Sequence, residues 1–184
     1  MPSSLDLIRT EHRNIARVLR ALEDIAKDTA NLSHAARSDL LTSILYYLRV
    51  FPYAVHHPKE ERHLFPAVAA KDKAAGVAAA SLHTEHAEGY GLLHKIESLA
   101  AAATDEKSLG ILKSAILSYV EHERRHMARE EQEILPAAER VLSESEQTAI
   151  RQAFAGHADP MFGENIQTGF DVLHRLIQDK SSRN

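Results

Sequence analysis

The chain repeats itself, and this narrows the folds open to it more than any other feature. Ile8 to Ala26, IRTEHRNIARVLRALEDIA, aligns without a gap to Leu82 to Ala100, LHTEHAEGYGLLHKIESLA. The two share Thr-Glu-His, the leucines Leu19 and Leu93, the glutamates Glu23 and Glu97, and a closing alanine. A second pair follows, HHPKEERHLFPA from His56 and HMAREEQEILPA from His126, with His, both glutamates, an apolar pair and Pro-Ala in common. Apolar residues recur at helical spacing, and no stretch shows the alternation of a half-buried strand. The unit repeated is therefore a helical hairpin. Two such hairpins related by an approximate two-fold make an all-α, up-and-down four-helix bundle, whose interior is where facing helices build metal sites.

Helix signals place the parts. Ser3 or Ser4 starts a first helix ending near Asp28, and a second runs from after Ser33 toward Phe65, bent by Pro52 and Pro58. Gly76 reads as the next break, before a third helix over roughly Val77 to Ala101 and a fourth from Thr104 to Ala138. Ser143 with Glu146 is a capping-box pattern opening a fifth helix, and Gly156 with Asp159-Pro160 separates a sixth. We therefore divide the chain into a bundle, residues 1–140, and a C-terminal helical extension, 141–184, packed on it. The extension is expected to cover one side or end of the bundle, to close the mouth of a site, or to contact a second copy in a homodimer.

Composition excludes several partners. A net charge of −4 offers no basic stripe for nucleic acid, and charged residues interrupt every apolar run before it could span a bilayer. A cytoplasmic protein is the expectation. With no cysteine, any metal is left to imidazole and carboxylate, and twelve histidines make that worth pursuing.

Residues four apart lie on one helix face, so His56 with Glu60 and His126 with Glu130 each present a nitrogen and an oxygen together. The following turns on that face carry Leu64 and Ala67, or Ile134 and Ala137, which makes it the core face. His12 and His86 occupy matching repeat positions, followed by the stripes Ile15, Leu19, Leu22 and Tyr90, Leu93, Ile96. Burying two carboxylates and four imidazoles is strongly unfavourable unless a cation compensates them. This donor mix suits two iron ions, with manganese or zinc as alternatives, and leaves positions open to a further ligand.

The order His, His-x-x-x-Glu-Glu, His, His-x-x-x-Glu-Glu, with its Leu-Phe-Pro and Ile-Leu-Pro tails, resembles the hemerythrin-like, or HHE cation-binding, family across roughly residues 5 to 140. The resemblance implies a non-haem diiron centre held by His12, His56, Glu60, His86, His126 and Glu130, with the two glutamates bridging. It implies binding of O2, NO or peroxide at an open metal position, for sensing, storage or redox response. Relatives that carry oxygen have a fifth histidine beside the third-helix ligand. Here His83 sits at the wrong spacing for that role, which argues against oxygen carriage.

Four further residues can be read either as ligands or as ordinary side chains. His57 and Glu61 form a second His-x-x-x-Glu set one residue out of register. The repeat argues against that set, because His57 aligns with Met127, and Glu61→Ala is then expected to leave metal binding intact. His83 and His122 each lie near a ligand position. Two other functions compete with ligand binding: a redox enzyme acting on peroxide or NO, with Tyr90 or Tyr119 as nearby donors, and a structural bundle holding zinc or no metal.

Overall fold

The first helix starts where the Ser3 hydroxyl accepts the Asp6 N–H at 3.1 Å and the Asp6 carboxylate accepts the Ser3 N–H at 3.0 Å, satisfying donors that a helix start leaves free. The computed structural model describes residues 3–27, 34–156, 158–163 and 166–181. Six helices follow in order: α1 (Ser4–Lys27), α2 (34–69), α3 (Lys73–Ala102), α4 (106–141), α5 (Glu144–Ala155) and α6 (Asp171–Ser181). No strand occurs among the described residues. The expected helix boundaries at Asp28 and Ser33 lie outside them. Helices α1 to α4 form the bundle, each packed on its neighbours in the cycle α1, α2, α3, α4.

Helices α2 and α4 are continuous but not uniform. α2 widens to π-helix over Arg49–His56 and Glu60–Leu64, and α4 does so over Glu130–Ile134. The cause is proline. Pro52, Pro58, Pro66 and Pro136 lack the N–H that would bond four residues back. In the wide turns the donors reach back five: His57 N–H to the Pro52 carbonyl, Phe65 N–H to that of Glu60, and Leu135 N–H to that of Glu130. Such turns concentrate at functional sites because they re-aim side chains.

One boundary and one core position differ from expectation. The break before α3 falls at residues 70–72, where the Asp72 carboxylate accepts the Ala75 N–H at 3.0 Å. Gly76 lies inside α3, in a position where a Cβ would come 3.3 Å from that of Ala69. Tyr90 is 51% exposed rather than part of the core stripe, and the inward position on that turn belongs to Gly89.

The core has two apolar clusters. One gathers Leu5, Ile8, Leu64, Phe65, Val68, Leu82, Ile134 and Leu135. The other gathers Ile15 to Ala26 of α1 with Ile44, Leu48, Phe51, Leu93, Ile96, Ile116 and Tyr119. Between these clusters along every bundle helix come the histidines and glutamates singled out above. The extension lies on the α1 and α2 side: Ile150 and Phe154 of α5 join the first cluster, and Leu173 and Ile177 of α6 join the second. Asp159 pins the segment between α5 and α6, accepting from Tyr47 Oη (2.8 Å), Asn14 Nδ2 (3.3 Å) and the N–H groups of Met161 (2.9 Å) and Phe162 (3.0 Å).

Candidate metal centre

The polar layer between the clusters is buried. His12, His56, His57, His86 and His126 are 1–6% exposed, and Glu60 and Glu130 are fully buried. Two groups of donor atoms converge there: His12, His56, Glu60 and Glu130 in one, and His57, His86 and His126 in the other, the atoms of each group lying within 4.8 Å of one another. Glu60 faces both groups. Its Oε1 lies 3.0 Å from His56 Nε2 and 3.7 Å from His12 Nε2, while its Oε2 lies 3.6 Å from His86 Nε2. Glu130 Oε2 is 3.2 Å from His12 Nε2. Donors in adjacent positions around an ion with bonds of about 2.1 Å sit about 3 Å apart, so this spacing is that of a coordination shell.

Each of the four repeat-related imidazoles turns its other nitrogen to a carboxylate. His12 Nδ1 meets Glu131 at 2.9 Å, His56 Nδ1 meets Glu11 at 2.7 Å, His86 Nδ1 meets Glu61 at 2.7 Å, and His126 Nδ1 meets Glu85 at 3.2 Å. The pairs obey the repeat, since Glu11 matches Glu85 and Glu61 matches Glu131. A carboxylate on Nδ1 fixes the proton there and leaves Nε2 as a lone pair. Those lone pairs then face carboxylate oxygens, or one another, as between His86 and His126 at 3.0 Å. Both oxygens of Glu60, both of Glu130 and Nε2 of His12 accordingly lack any aligned hydrogen-bond partner. Acceptor facing acceptor in a dry core is costly, and a cation is what relieves it.

The same conflict shifts the titrations. Burial opposes charge on His56, but Glu60 and Glu11 outweigh it and lift the imidazole to about 9. His12 is raised likewise, against burial, by Glu130, Glu131 and Glu60. Burial and the Glu60 charge push Glu130 up to about 7, whereas burial and His86 bring His126 down to about 4. Burial also holds His57 well below its ordinary value. Protons here do part of the work that a cation would do.

These donors, their order along the chain and the bundle that carries them agree with a match of the family described as the hemerythrin HHE cation binding domain over residues 3–138. The chain belongs to that family. A search of curated proteins gives no match. As a hemerythrin-family chain it has a metal-binding helical bundle whose His and Glu clusters are able to hold metal.

The four uncertain residues now have places. His57 does not replace His56: both turn inward, 4% and 1% exposed, from the wide turn of α2. His57 stacks on His86 with ring centroids 3.9 Å apart, and its Nδ1 has no hydrogen-bond partner. It thus supplies a fifth imidazole from α2, while His83 on α3 is 65% exposed and bonds Glu61 at 3.0 Å. Glu61 lies outside the main cluster, but its contact with His86 Nδ1 gives it a part that the register argument did not foresee. It could also join His83 and His86 in a third, outer group of donors. His122 ties helices together, with Nε2 3.0 Å from the Glu85 carbonyl. Sequence reasoning missed Glu11, Glu85 and Glu131, although Glu-His and Glu-Glu were visibly repeated. It also missed Lys59, which is 6% exposed and bonds Glu11 at 2.6 Å beneath the Phe154 ring.

Proposed function

We propose that this protein holds two iron ions in its bundle and binds O2, NO or peroxide at an open metal position, serving sensing, storage or redox response. His12, His56, Glu60 and Glu130 would hold one ion. His57, His86 and His126 would hold the other, with Glu60 facing both groups. On that division the His12 side would offer two imidazoles and the His57 side three. The observation that carries the reading is the ring of Nε2 lone pairs and unpartnered carboxylate oxygens, a donor set of nitrogen and oxygen that suits iron above softer ions. When bound, the ions supply reversible electron transfer and a site for a small ligand. The chain's own residues set the donors, fix the imidazole protons and exclude water.

No helix among the described residues is long and apolar enough to cross a membrane, and a cytoplasmic setting is part of this proposal. The experiment is metal analysis with an optical spectrum of protein purified without oxygen, repeated after air and then after NO. About two irons per chain with a visible band that changes with the ligand are expected. Zinc alone, or iron whose spectrum ignores both gases, would overturn the reading. Glu60→Ala is expected to remove both ions together, because it takes away the one carboxylate that faces both groups.

A further inference from the structure

Beside the cluster lies a partly buried tyrosine that ligand binding leaves unused. Tyr53 stands edge-on to His57, ring centroids 4.8 Å apart, and donates its hydroxyl to Glu123 Oε1 at 2.6 Å. Glu123 is 3% exposed. On its outer side Tyr53 meets the ring of Tyr90 at 5.6 Å, and Tyr90 is 51% exposed. Aromatic contacts therefore run unbroken from solvent, through Tyr90 and Tyr53, to His57 and His86. Gly89 makes the close approach possible, since a Cβ there would lie 2.5 Å from both Glu123 Oε1 and Tyr53 Oη. Tyr119, fully buried nearby, faces the Tyr53 hydroxyl, whose own proton is directed to Glu123.

We propose that Tyr90, Tyr53 and Glu123 form a one-electron conduit that carries reducing equivalents from a small phenol- or ascorbate-type donor in solution to peroxide at the metal centre. This rests on the proposed diiron reading and gives it a reductant. Tyr53 gives up an electron across His57. Its O–H bond breaks as the electron leaves, and the proton passes to Glu123 Oε1, within the reach that proton transfer needs. Tyr90 then returns an electron to Tyr53, which takes its proton back from Glu123. Tyr90 releases its own proton to water and is restored by a hydrogen atom's worth from the dissolved donor. Two passages deliver two electrons, which with two protons from water cleave the O–O bond of one peroxide and give two water molecules. The dissolved donor is oxidised and peroxide is reduced.

The test uses the full chain loaded with iron, mixed with excess hydrogen peroxide and frozen at intervals for electron paramagnetic resonance, with the visible band recorded in parallel. A transient tyrosyl signal is expected, narrowed by ring-deuterated tyrosine and quenched by ascorbate. Tyr53→Phe and Glu123→Gln lose the signal while iron content and melting temperature are retained. Tyr90→Phe keeps the signal, prolongs it and slows its quenching by ascorbate. Tyr119→Phe leaves it as in the natural chain. Iron oxidation with no tyrosyl signal, or a signal unchanged in Tyr53→Phe, overturns the conduit and leaves the diiron reading standing. Iron that peroxide does not oxidise ends both.

Discussion

Replacing His57 by methionine, the residue that Met127 places at the matching position of the repeat, should move the two forms of the protein in opposite directions. In the metal-free chain the Nδ1 of His57 is buried without a partner, a deficit of about 1–3 kcal/mol. Methionine is of similar size, keeps a sulfur–aromatic contact with Tyr53, and loses at most about 1.5 kcal/mol to imperfect repacking. The net gain is about 1 kcal/mol, or about 2–4 °C in Tm for a chain of this length. In the loaded chain one imidazole donor is lost, which should weaken one of the two ions by at least about tenfold, about 1.4 kcal/mol. Calorimetry of chelator-treated and loaded protein, with metal affinity from competition against a chromophoric chelator, reads both effects. A variant whose chelated form melts lower and whose metal affinity is unchanged would show that His57 is a packing residue.

Further outcomes follow from the same geometry. Glu61→Gln or Glu131→Gln should weaken metal binding about 10–100-fold with little change in the chelated fold. Glu11→Gln should in addition remove the carboxylate that the buried Lys59 ammonium bonds at 2.6 Å, and lower stability in urea unfolding. Asp159→Ala removes the acceptor shared by Tyr47, Asn14 and two backbone N–H groups. It should detach the extension, seen as rapid proteolysis between α5 and α6 while α1 to α4 stay protected. Chelated protein should lose stability as pH rises from 6.5 to about 9, because His56 binds its proton more tightly folded than unfolded, the share present below 6.5 vanishing through about 9. Glu130, raised from 4.5 to about 7, acts in the same sense between those two values. Metal affinity should rise over the same interval as fewer protons must be displaced, so melts and metal titrations at three pH values should run in opposite directions.

The fold class was legible because a helical hairpin written twice admits few arrangements, and because apolar residues following His12, His56, His86 and His126 marked those faces as core. The inward placement of His12, His56, Glu60, His86, His126 and Glu130 was legible for the same reason: four-residue spacing on an α-helix puts side chains on one face whatever the rest of the molecule does. Register arguments fail where the helix is not an α-helix. His56 and His57 turn into different donor groups from a stretch of α2 where the backbone widens to π-helix and Pro52 and Pro58 lack an N–H. The carboxylates on Nδ1 were hidden differently. Glu131 meets His12, and Glu61 meets His86, only after four helices pack side by side, and no spacing within one helix carries that information. What the order of residues determined by itself was the bundle, its repeat and its inward donors. Tertiary packing decided which nitrogen of each imidazole stays bare, where the fifth imidazole enters and which tyrosine lies against it, because those depend on backbone width and on neighbours distant along the chain.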